Sequence, residues 1–255
     1  MYKKQAVGFG KKKLYGIFIL MLLAVAIFYF KNKFFRPGFK HYTEFGIDIP
    51  SNYSIHGIDV SHYQEDIDWA LVKNMKVKGI GINFAFLKAT EGVSYVDPTF
   101  KDNMDGCKEN GITRGAYHYF IAARSGKEQA ANFIENANLK KGDLAPVLDI
   151  EQNTGTTPEQ LHTRLAEWLD LVEKKYKTKP IIYCNIEYYE KYIAGQFSGY
   201  PIWIAHYKAT NNPRISDSWA IWQHNEHGHV TGIRTDVDFN AFNGGSWAFD
   251  GLLIK

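Results

Sequence analysis

Cysteine is almost absent from this sequence, with two residues among 255. Two cysteines cannot build a multi-disulfide scaffold or a zinc site made of four cysteines. The sequence also lacks the His-x3-His and His-Glu-x2-His spacings of metal sites and the Gly-rich loops that bind nucleotides. No Gly-x-Ser-x-Gly motif supports a serine nucleophile. We therefore expect neither a metal nor a cofactor.

Acidic residues are missing from the first 40 positions, which carry nine of the 30 Lys and Arg residues. Residues 41–255 consequently hold 21 basic against 27 acidic side chains, a net charge of about −6. A region with a net negative charge is a poor candidate for binding the phosphates of a nucleic acid. We therefore expect no nucleic-acid partner, and the net charge of +3 comes from the N-terminal segment.

A long uncharged run follows the basic N-terminal flank of residues 1–13. Residues 14–30 read LYGIFILMLLAVAIFYF, with Lys clusters on both sides. As a helix this run would extend roughly 26 Å, near the lower limit for crossing a bilayer. We interpret it as an uncleaved transmembrane signal-anchor; the alternative is a signal peptide cleaved near Ala24-Val25-Ala26. The sequence thus predicts a single-pass protein of the cell membrane, with the remaining chain on the outer side.

Residues 31–54 contain two prolines and read as a linker, and the pattern changes from residue 55 to the C-terminus at 255. Short apolar runs there alternate with helix-like stretches. The predicted strands are 55–60, 81–88, 114–120, 145–150, 180–184, 202–206, 220–223 and 235–239, and the predicted helices are 67–76, 98–110, 127–138 and 158–175. Eight strands alternating with helices indicate an α/β barrel, and the shorter helices after Cys184 indicate an irregular last third.

Polar, acidic and aromatic side chains recur where these strands end. In chain order they are Asp59, Lys88, Glu91, Tyr117, His118, Asp149, Glu151, Tyr183, Asn185, Trp203, Tyr207, Gln223 and Asp238. The carboxyl ends of the strands form one face of an α/β barrel, and that face holds the active site. We therefore expect these residues to gather at one end of the barrel.

The stretch Ala145-Pro-Val-Leu-Asp-Ile-Glu151 carries two of these acids. Side chains alternate along a strand, so Asp149 and Glu151 should point to one face and Leu148 and Ile150 to the other. Two like charges repel, and the less solvated acid should have a raised pKa. This arrangement suits glycoside hydrolysis, which needs a proton donor beside an ionised carboxylate. The alternative is an acidic pair in a solvated loop.

Other polar residues have competing interpretations. His118 lies between two tyrosines. It could act as a general base or a metal ligand, but a histidine in this setting is more commonly held in an aromatic hydrogen-bond network. Asp59 taken alone fits a helix N-cap or a turn. Whether Cys107 and Cys184 pair is left open by the sequence.

A series of motifs resembles the family 25 glycoside hydrolases, which are lysozymes (N-acetylmuramidases) of the Chalaropsis type. The motifs run in order from residue 55 to residue 242: His56-Gly-Ile-Asp-Val-Ser-His-Tyr-Gln64, Leu87-Lys-Ala-Thr-Glu-Gly92, Arg114-Gly-Ala-Tyr-His118, Pro146-Val-Leu-Asp-Ile-Glu151, Ile202-Trp-Ile-Ala-His-Tyr207, Ile221-Trp-Gln223 and Val237-Asp-Phe-Asn240. Several such blocks together are highly specific.

The resemblance implies an irregular TIM-like (β/α)5β3 barrel over residues 55–255. It also implies cleavage of the β-1,4 bond between N-acetylmuramic acid and N-acetylglucosamine in peptidoglycan. Glu151 would be the general acid, and Asp149 either a direct stabiliser or the group that assists the substrate's N-acetyl. The implied substrate-binding residues are Asp59, Asp238, Tyr117, His118, Tyr183, Trp203, Tyr207 and Gln223.

Two other functions fit the same sequence. One is a cell-wall-binding protein that keeps the barrel without catalysis, which the four intact acids argue against. The other is a hydrolase of chitin-like or other amino-sugar polymers. For the leading interpretation the expected partners are peptidoglycan glycan strands and, through residues 14–30, the membrane. The sequence does not indicate an oligomeric state, and a monomer is the default expectation.

Overall fold

The computed structural model describes residues 11–34 and 38–255. The chain divides into two compact units, residues up to Pro37 and residues Gly38–Lys255. In the first unit the structure describes one helix, α1 (Lys11–Phe34). No helix within the described residues combines the length and apolar character needed to cross a membrane. The transmembrane span predicted over 14–30 is therefore not found, and most of the basic flank 1–13 lies outside the described residues.

The strands of the second unit, in chain order, are β1 (Phe39–Tyr42), β2 (Ile47–Pro50), β3 (His56–Val60), β4 (Lys76–Val77), β5 (Ile80–Glu91), β6 (Tyr95–Val96), β7 (Thr113–Tyr119), β8 (Val147–Asp149), β9 (Ile181–Asn185), β10 (Ile202–Ala205), β11 (Ile221–Gly228) and β12 (Val237–Phe242). Its helices are α2 (Trp69–Asn74), α3 (Phe100–Glu109), α4 (Gly126–Ala137), α5 (Pro158–Tyr176), α6 (Ile186–Tyr188) and α7 (Ser246–Asp250). A π-helical turn (Tyr189–Ile193) follows α6.

Eight of these strands close into a barrel, in the order β3-β5-β7-β8-β9-β10-β11-β12 with β12 returning to β3. Neighbours from β3 to β11 pair in parallel, whereas β12 is antiparallel to both β11 and β3. The first five barrel strands are each followed by helical structure, β10 and β11 are not, and β12 is followed only by the short helix α7. This confirms the predicted α/β barrel and its irregular last third.

Alternating side chains fill the barrel and cover it on the outside. Phe84, Phe86 and Trp203 belong to an apolar cluster inside the barrel, while Leu148 and Ile150 join the larger core between strands and helices. The longest covering helix, α5, starts with a capping box in which Thr157 and Gln160 satisfy each other's backbone N–H groups. The predicted helix start at Pro158 matches this cap.

A β-hairpin covers the part of the barrel that has no helices. Strands β1 and β2 pair antiparallel, and Phe45 between them packs against Phe239 of β12 with ring centroids 5.2 Å apart. Phe39 contacts Trp222 of β11 edge-on at 5.7 Å. Residues 38–54, which the sequence indicated as part of a linker, therefore belong to the folded domain. Their apolar side chains pack on β11 and β12 and cover Trp222 and Phe239.

Candidate active site

A cleft of about 380 Å³ lies at the carboxyl end of the parallel strands, where active sites of α/β barrels occur. It draws side chains from every barrel strand or from the loop that follows it. The lining residues are Asp59, Val60, Ser61, Tyr63, Gln64, Lys88, Tyr117, Tyr119, Asp149, Glu151, Tyr183, Trp203, Tyr207, Gln223, Glu226 and Asp238. The acids and aromatic residues singled out as site candidates from the sequence are in this set, with the exception of Glu91.

Asp149 and Glu151 enter the cleft from the end of β8. Both line it, while Leu148 and Ile150 are fully buried in the outer core, as strand alternation predicts. Asp149 is 7% exposed, and its Oδ1 atom has no hydrogen-bond partner among the described residues. Glu151 is exposed. The two acids therefore share one face but differ in solvation.

The solvation difference decides where a proton stays. Burial, followed by the charges of Glu151 and Asp59, raises the pKa of Asp149 well above its usual range. Glu151 keeps an exposed side chain but loses part of its solvent in the cleft, which also raises its pKa; the positive charge of Lys88 and a hydrogen bond with Tyr183 oppose that rise. The pair thus retains a proton at a pH where a free carboxyl group has lost it. In the open cleft the less solvated Asp149 is the favoured holder.

Asp59 is the acceptor at the end of a hydrogen-bond network. Gln223 Nε2 donates to both carboxylate oxygens of Asp59, at 3.1 and 3.0 Å, and Asn240 Nδ2 donates to one at 2.7 Å. Tyr183 and Tyr207 each donate to Gln223 Oε1 at 2.7 Å. Burial raises the pKa of Asp59 to about 6, while the bonds from Asn240 and Gln223 lower it. The network favours an ionised Asp59.

Asp238 faces Asp59 across the seam where the barrel closes. The two residues are direct partners on the antiparallel strands β12 and β3. Burial, then the charge of Asp59, raises the pKa of Asp238 to about 9. Asp238 therefore carries a proton beside the ionised Asp59. The sequence placed Asp238 near the end of a strand spanning 235–239, but it is the second residue of β12, which reaches the cleft because it runs in the opposite direction.

The aromatic residues of the cleft form a floor and a rim. Tyr183 and Trp203 are at most 7% exposed, and Trp203 stacks on Phe86 with ring centroids 4.7 Å apart. The Trp203 indole N–H donates to Asn240 Oδ1 at 2.8 Å, so this ring supports the Asp59 network. Tyr207 and Tyr63, in contrast, are 41% and 70% exposed. The aromatic rings accessible to a ligand are thus found at the rim.

His118 lies apart from the cleft. It is fully buried and stacks on Trp168 of α5, with ring centroids 5.7 Å apart. Thr90 Oγ1 and Gln129 Oε1 lie 2.7 and 3.3 Å from its two ring nitrogens. Burial lowers its pKa to about 3, so the imidazole is neutral. The structure places it in a buried hydrogen-bond network because alternation along β7 turns Tyr117 and Tyr119 inward and His118 outward.

Several lining residues escaped the sequence analysis. Tyr119 could have been found from its period-two relation to Tyr117. Glu226 and Tyr63 carried no usable signal. Glu226 follows a register shift in β11, and Tyr63 lies in a short 3-10 turn after β3.

The arrangement supplies acid–base chemistry. Within the described residues no group of three or more His, Cys, Asp or Glu side chains could hold a metal ion. Both cysteines are buried and unpaired, and burial raises the pKa of the Cys107 and Cys184 thiols far from the nucleophilic range. Two neighbouring pairs of carboxyl groups lie in one aromatic cleft, and such pairs donate and accept protons.

Comparisons with known proteins agree with this geometry. The model of the family described as "Glycosyl hydrolases family 25" matches residues 58–233. The protein YegX of Escherichia coli K12 is 44% identical over 207 residues, covering 81% of this chain and 76% of YegX. Lysozyme M1 of Streptomyces globisporus is 36% identical over 74% of this chain and 68% of its own. The solved structure of a family 25 glycosyl hydrolase from Bacillus anthracis superposes with a TM-score of 0.73 at 30% identity, covering 83% of this chain and 98% of that one.

Proposed function

Because this chain belongs to family 25 of the glycosyl hydrolases, we propose that it is a muramidase that cleaves peptidoglycan. The bond would be the β-1,4 linkage between N-acetylmuramic acid and N-acetylglucosamine. The observation that carries this proposal is the placement of Asp149 and Glu151 on one face of the barrel mouth, inside an aromatic cleft. The name of the related Lysozyme M1 supports the same substrate class.

We propose Glu151 as the proton donor. A general acid must reach the oxygen of the scissile bond, and Glu151 is the exposed member of the pair. A sugar ring bound in the cleft would displace water from Glu151 and raise its pKa further, since loss of solvent disfavours the charged form. The proton would then pass to the leaving oxygen as the bond to the anomeric carbon breaks.

We propose that Asp149 acts at the anomeric carbon, whereas Glu151 acts at the leaving oxygen. Its unpartnered Oδ1 is free to accept a hydrogen bond from the substrate. The substrate's N-acetyl N–H is a suitable donor, and a hydrogen bond from it would orient the acetyl oxygen toward the anomeric carbon. Direct stabilisation of positive charge at that carbon is the alternative role. In either case Asp149 must be ionised when Glu151 gives up its proton.

Glutamine at position 151 tests the assignment. Glu151→Gln should fold as the parent does and lose roughly 10²- to 10⁴-fold in reducing-end release from purified peptidoglycan, because the amide cannot donate the proton. The matched control is Glu159→Gln, on the first turn of α5 and outside the cleft. Mass spectrometry of the muropeptides identifies the bond cleaved.

Each possible outcome of this experiment tests one alternative to the proposed function. Parental activity in Glu151→Gln would make the acid assignment wrong. Binding of peptidoglycan by the parent without release of reducing ends would indicate a wall-binding protein. Equal cleavage of chitin oligomers would widen the substrate class to amino-sugar polymers.

We also propose that the barrel domain acts on the outer side of the cytoplasmic membrane, with the N-terminal segment retaining it there. The proposal is supported by the uncharged run of residues 14–30 with its Lys flanks and by the extracytoplasmic location of peptidoglycan. Cell fractionation with an alkaline carbonate wash, followed by the intact mass of the recovered chain, is the test. A mass lacking the first 26 residues or so would show cleavage instead of retention.

A further inference from the structure

A β-bulge in β5 brings Lys88 and Glu91 to the same face of the barrel. Residues three apart on a regular strand point to opposite faces. Here the register with β7 shifts between Lys88 and Thr90, so that Lys88 pairs with Tyr117 and Glu91 with Tyr119. Thr90 points outward and bonds the buried His118. The extra residue turns Glu91 back to the side of Lys88, and bulges often re-aim a side chain in this way beside active sites.

The ammonium group of Lys88 is fixed in place by its neighbours. Its Nζ lies 2.6 Å from Glu91 Oε2 and 4.9 Å from the centroid of the Tyr119 ring. A third contact places it 5.8 Å from the centroid of the Tyr95 ring. Lys88 is only 8% exposed, although it lines the cleft. A buried cation is costly to hold, which suggests a use beyond packing.

Acids and phenols of the cleft surround this cation. The titratable groups near it are Glu91 on its own strand, Tyr95 on β6, Tyr117, His118 and Tyr119 on β7, and Asp149 and Glu151 at the end of β8. Within the described part of the chain, Lys88 is the one Lys or Arg side chain that lines this cleft. The group formed by Asp149, Glu151, Asp59 and Asp238 therefore has a single cationic neighbour in its wall.

We propose that Lys88, held by Glu91 across the bulge, is a positioning residue that sets the pH range in which the Asp149–Glu151 pair holds one proton. This inference rests on the proposed function, since it assigns Lys88 a role in the same reaction. Glu91 fixes the ammonium, and the ammonium stabilises the one negative charge that the pair must carry. Without the cation the doubly protonated pair would lose its first proton, and so gain its one negative charge, only at higher pH.

The electrostatics support this direction. Loss of solvent raises the pKa of both Asp149 and Glu151, and in both cases the charge of Lys88 lowers it; a hydrogen bond with Tyr183 also lowers the pKa of Glu151. Removing a positive charge favours the protonated form of each acid. The acidic limb of the pH profile should therefore move to higher pH when Lys88 is neutralised.

The experiment measures kcat/KM against pH on purified peptidoglycan for the full chain and its variants. Lys88→Met should shift the acidic limb upward by about one pH unit and reduce the maximum roughly tenfold or more. Lys88→Arg keeps the charge and should leave the limb where the parent has it, even with a lower rate. Lys101→Met is the control, because this exposed lysine on α3 is paired with Asp105 outside the cleft. Lys88→Gln replaces Lys88→Met if the latter fails to fold.

A double variant tests the pairing itself. If Glu91 acts through Lys88, Lys88→Met combined with Glu91→Gln should be no slower than Lys88→Met alone. If the losses of kcat/KM caused by Lys88→Met and by Glu91→Gln multiply in the double variant, the pairing is contradicted. An active parent whose acidic limb is unmoved in both neutral variants would overturn the role of Lys88 and leave the proposed function intact. A parent that releases no reducing ends would instead overturn the proposed function.

Discussion

Asp59 and Asp238 illustrate how identical side chains acquire different protonation states. They face each other on β3 and β12, yet the donors Gln223 and Asn240 bond only Asp59. Asp59 is thereby stabilised as the anion, and Asp238 keeps its proton because burial, and then the charge of Asp59, disfavours its ionised form. One acid of the facing pair is thus a fixed negative charge of the cleft.

This difference predicts a pH-dependent effect on stability for Asp238→Asn. The pKa of Asp238 is about 9 in the folded chain, against about 4 for an unfolded aspartate. Its contribution to stability is complete below pH 4 and is lost as the pH rises toward 9. Asparagine resembles the protonated acid and does not titrate. We expect Asp238→Asn to be more stable than the parent by about 1–2 kcal/mol at pH 8, with no gain near pH 4.

Urea denaturation at the two pH values measures this gain. Asp236→Asn is the matched control, since Asp236 is exposed and two residues away. A gain of the same size at pH 4 and pH 8 would show that packing, and not the proton on Asp238, is responsible.

At the scale of elements, the hairpin of β1 and β2 encloses two histidines on the outer side of the barrel. His56 and His224 are at most 3% exposed. His56 Nε2 donates to the carbonyl of Tyr53, whereas both ring nitrogens of His224 lack a partner among the described residues. Burial lowers the pKa of His56 to about 4 and that of His224 to about 3. Neutral imidazoles are therefore part of this interface.

Phenylalanine at position 224 should protect the domain from acid. The folded pKa of His224 lies below the unfolded value of about 6.5, so its contribution to stability is complete above pH 6.5 and is lost as the pH falls toward 3. His224→Phe removes this loss and keeps the ring volume. We compare the free energy of unfolding of His224→Phe with that of the parent. The difference in favour of the variant should be about 2 kcal/mol larger at pH 5 than at pH 7.5.

Thermal or urea unfolding at both pH values is the measurement. His227→Phe serves as the control, because His227 lies on the same strand with an exposed ring. An advantage of His224→Phe that does not change with pH would mean that protonation of His224 plays no part in acid unfolding.

The regular elements were predictable because their apolar periodicity is local. All eight barrel strands and the four main helices lie within a few residues of their predicted positions. The hairpin was missed because its reason lies elsewhere in the chain. Phe45 and Ile49 are buried, and Phe45 packs on the distant strand β12, which a local reading of two prolines cannot show. The direction of β12 was missed because it depends on how the barrel closes.

The site residues, like the elements, were predictable where a local pattern determines their position and not where pairing with a distant strand does. Strand alternation placed Asp149, Glu151 and Tyr117 in the cleft correctly. The same alternation turns His118 away from the cleft and could have excluded it. The association of Lys88 with Glu91 was hidden because a bulge changes the period of the strand, and bulges are set by pairing with the neighbouring strand.

At the scale of the whole molecule, residues 38–255 form the folded unit. This boundary predicts that a chain starting at Gly38 keeps the parental urea midpoint and peptidoglycan cleavage. A chain starting at Ile55 lacks the hairpin, whose buried apolar side chains are Tyr42, Phe45, Ile47 and Ile49. Each contributes about 1.5–3 kcal/mol on burial, so we expect the shorter chain to lose several kcal/mol of unfolding free energy.

The shorter chain also exposes Trp222 and Phe239, which could make it insoluble, so a point substitution provides an independent measurement. Phe45→Ala in the chain starting at Gly38 should cost about 3–5 kcal/mol, because Phe45 is fully buried against Phe239. Phe39→Ala is the matched control in the same hairpin, where a side chain that is 37% exposed should cost less. Equal urea midpoints for Phe45→Ala and its parent would mean that the hairpin is dispensable and that the folded unit begins at the first barrel strand.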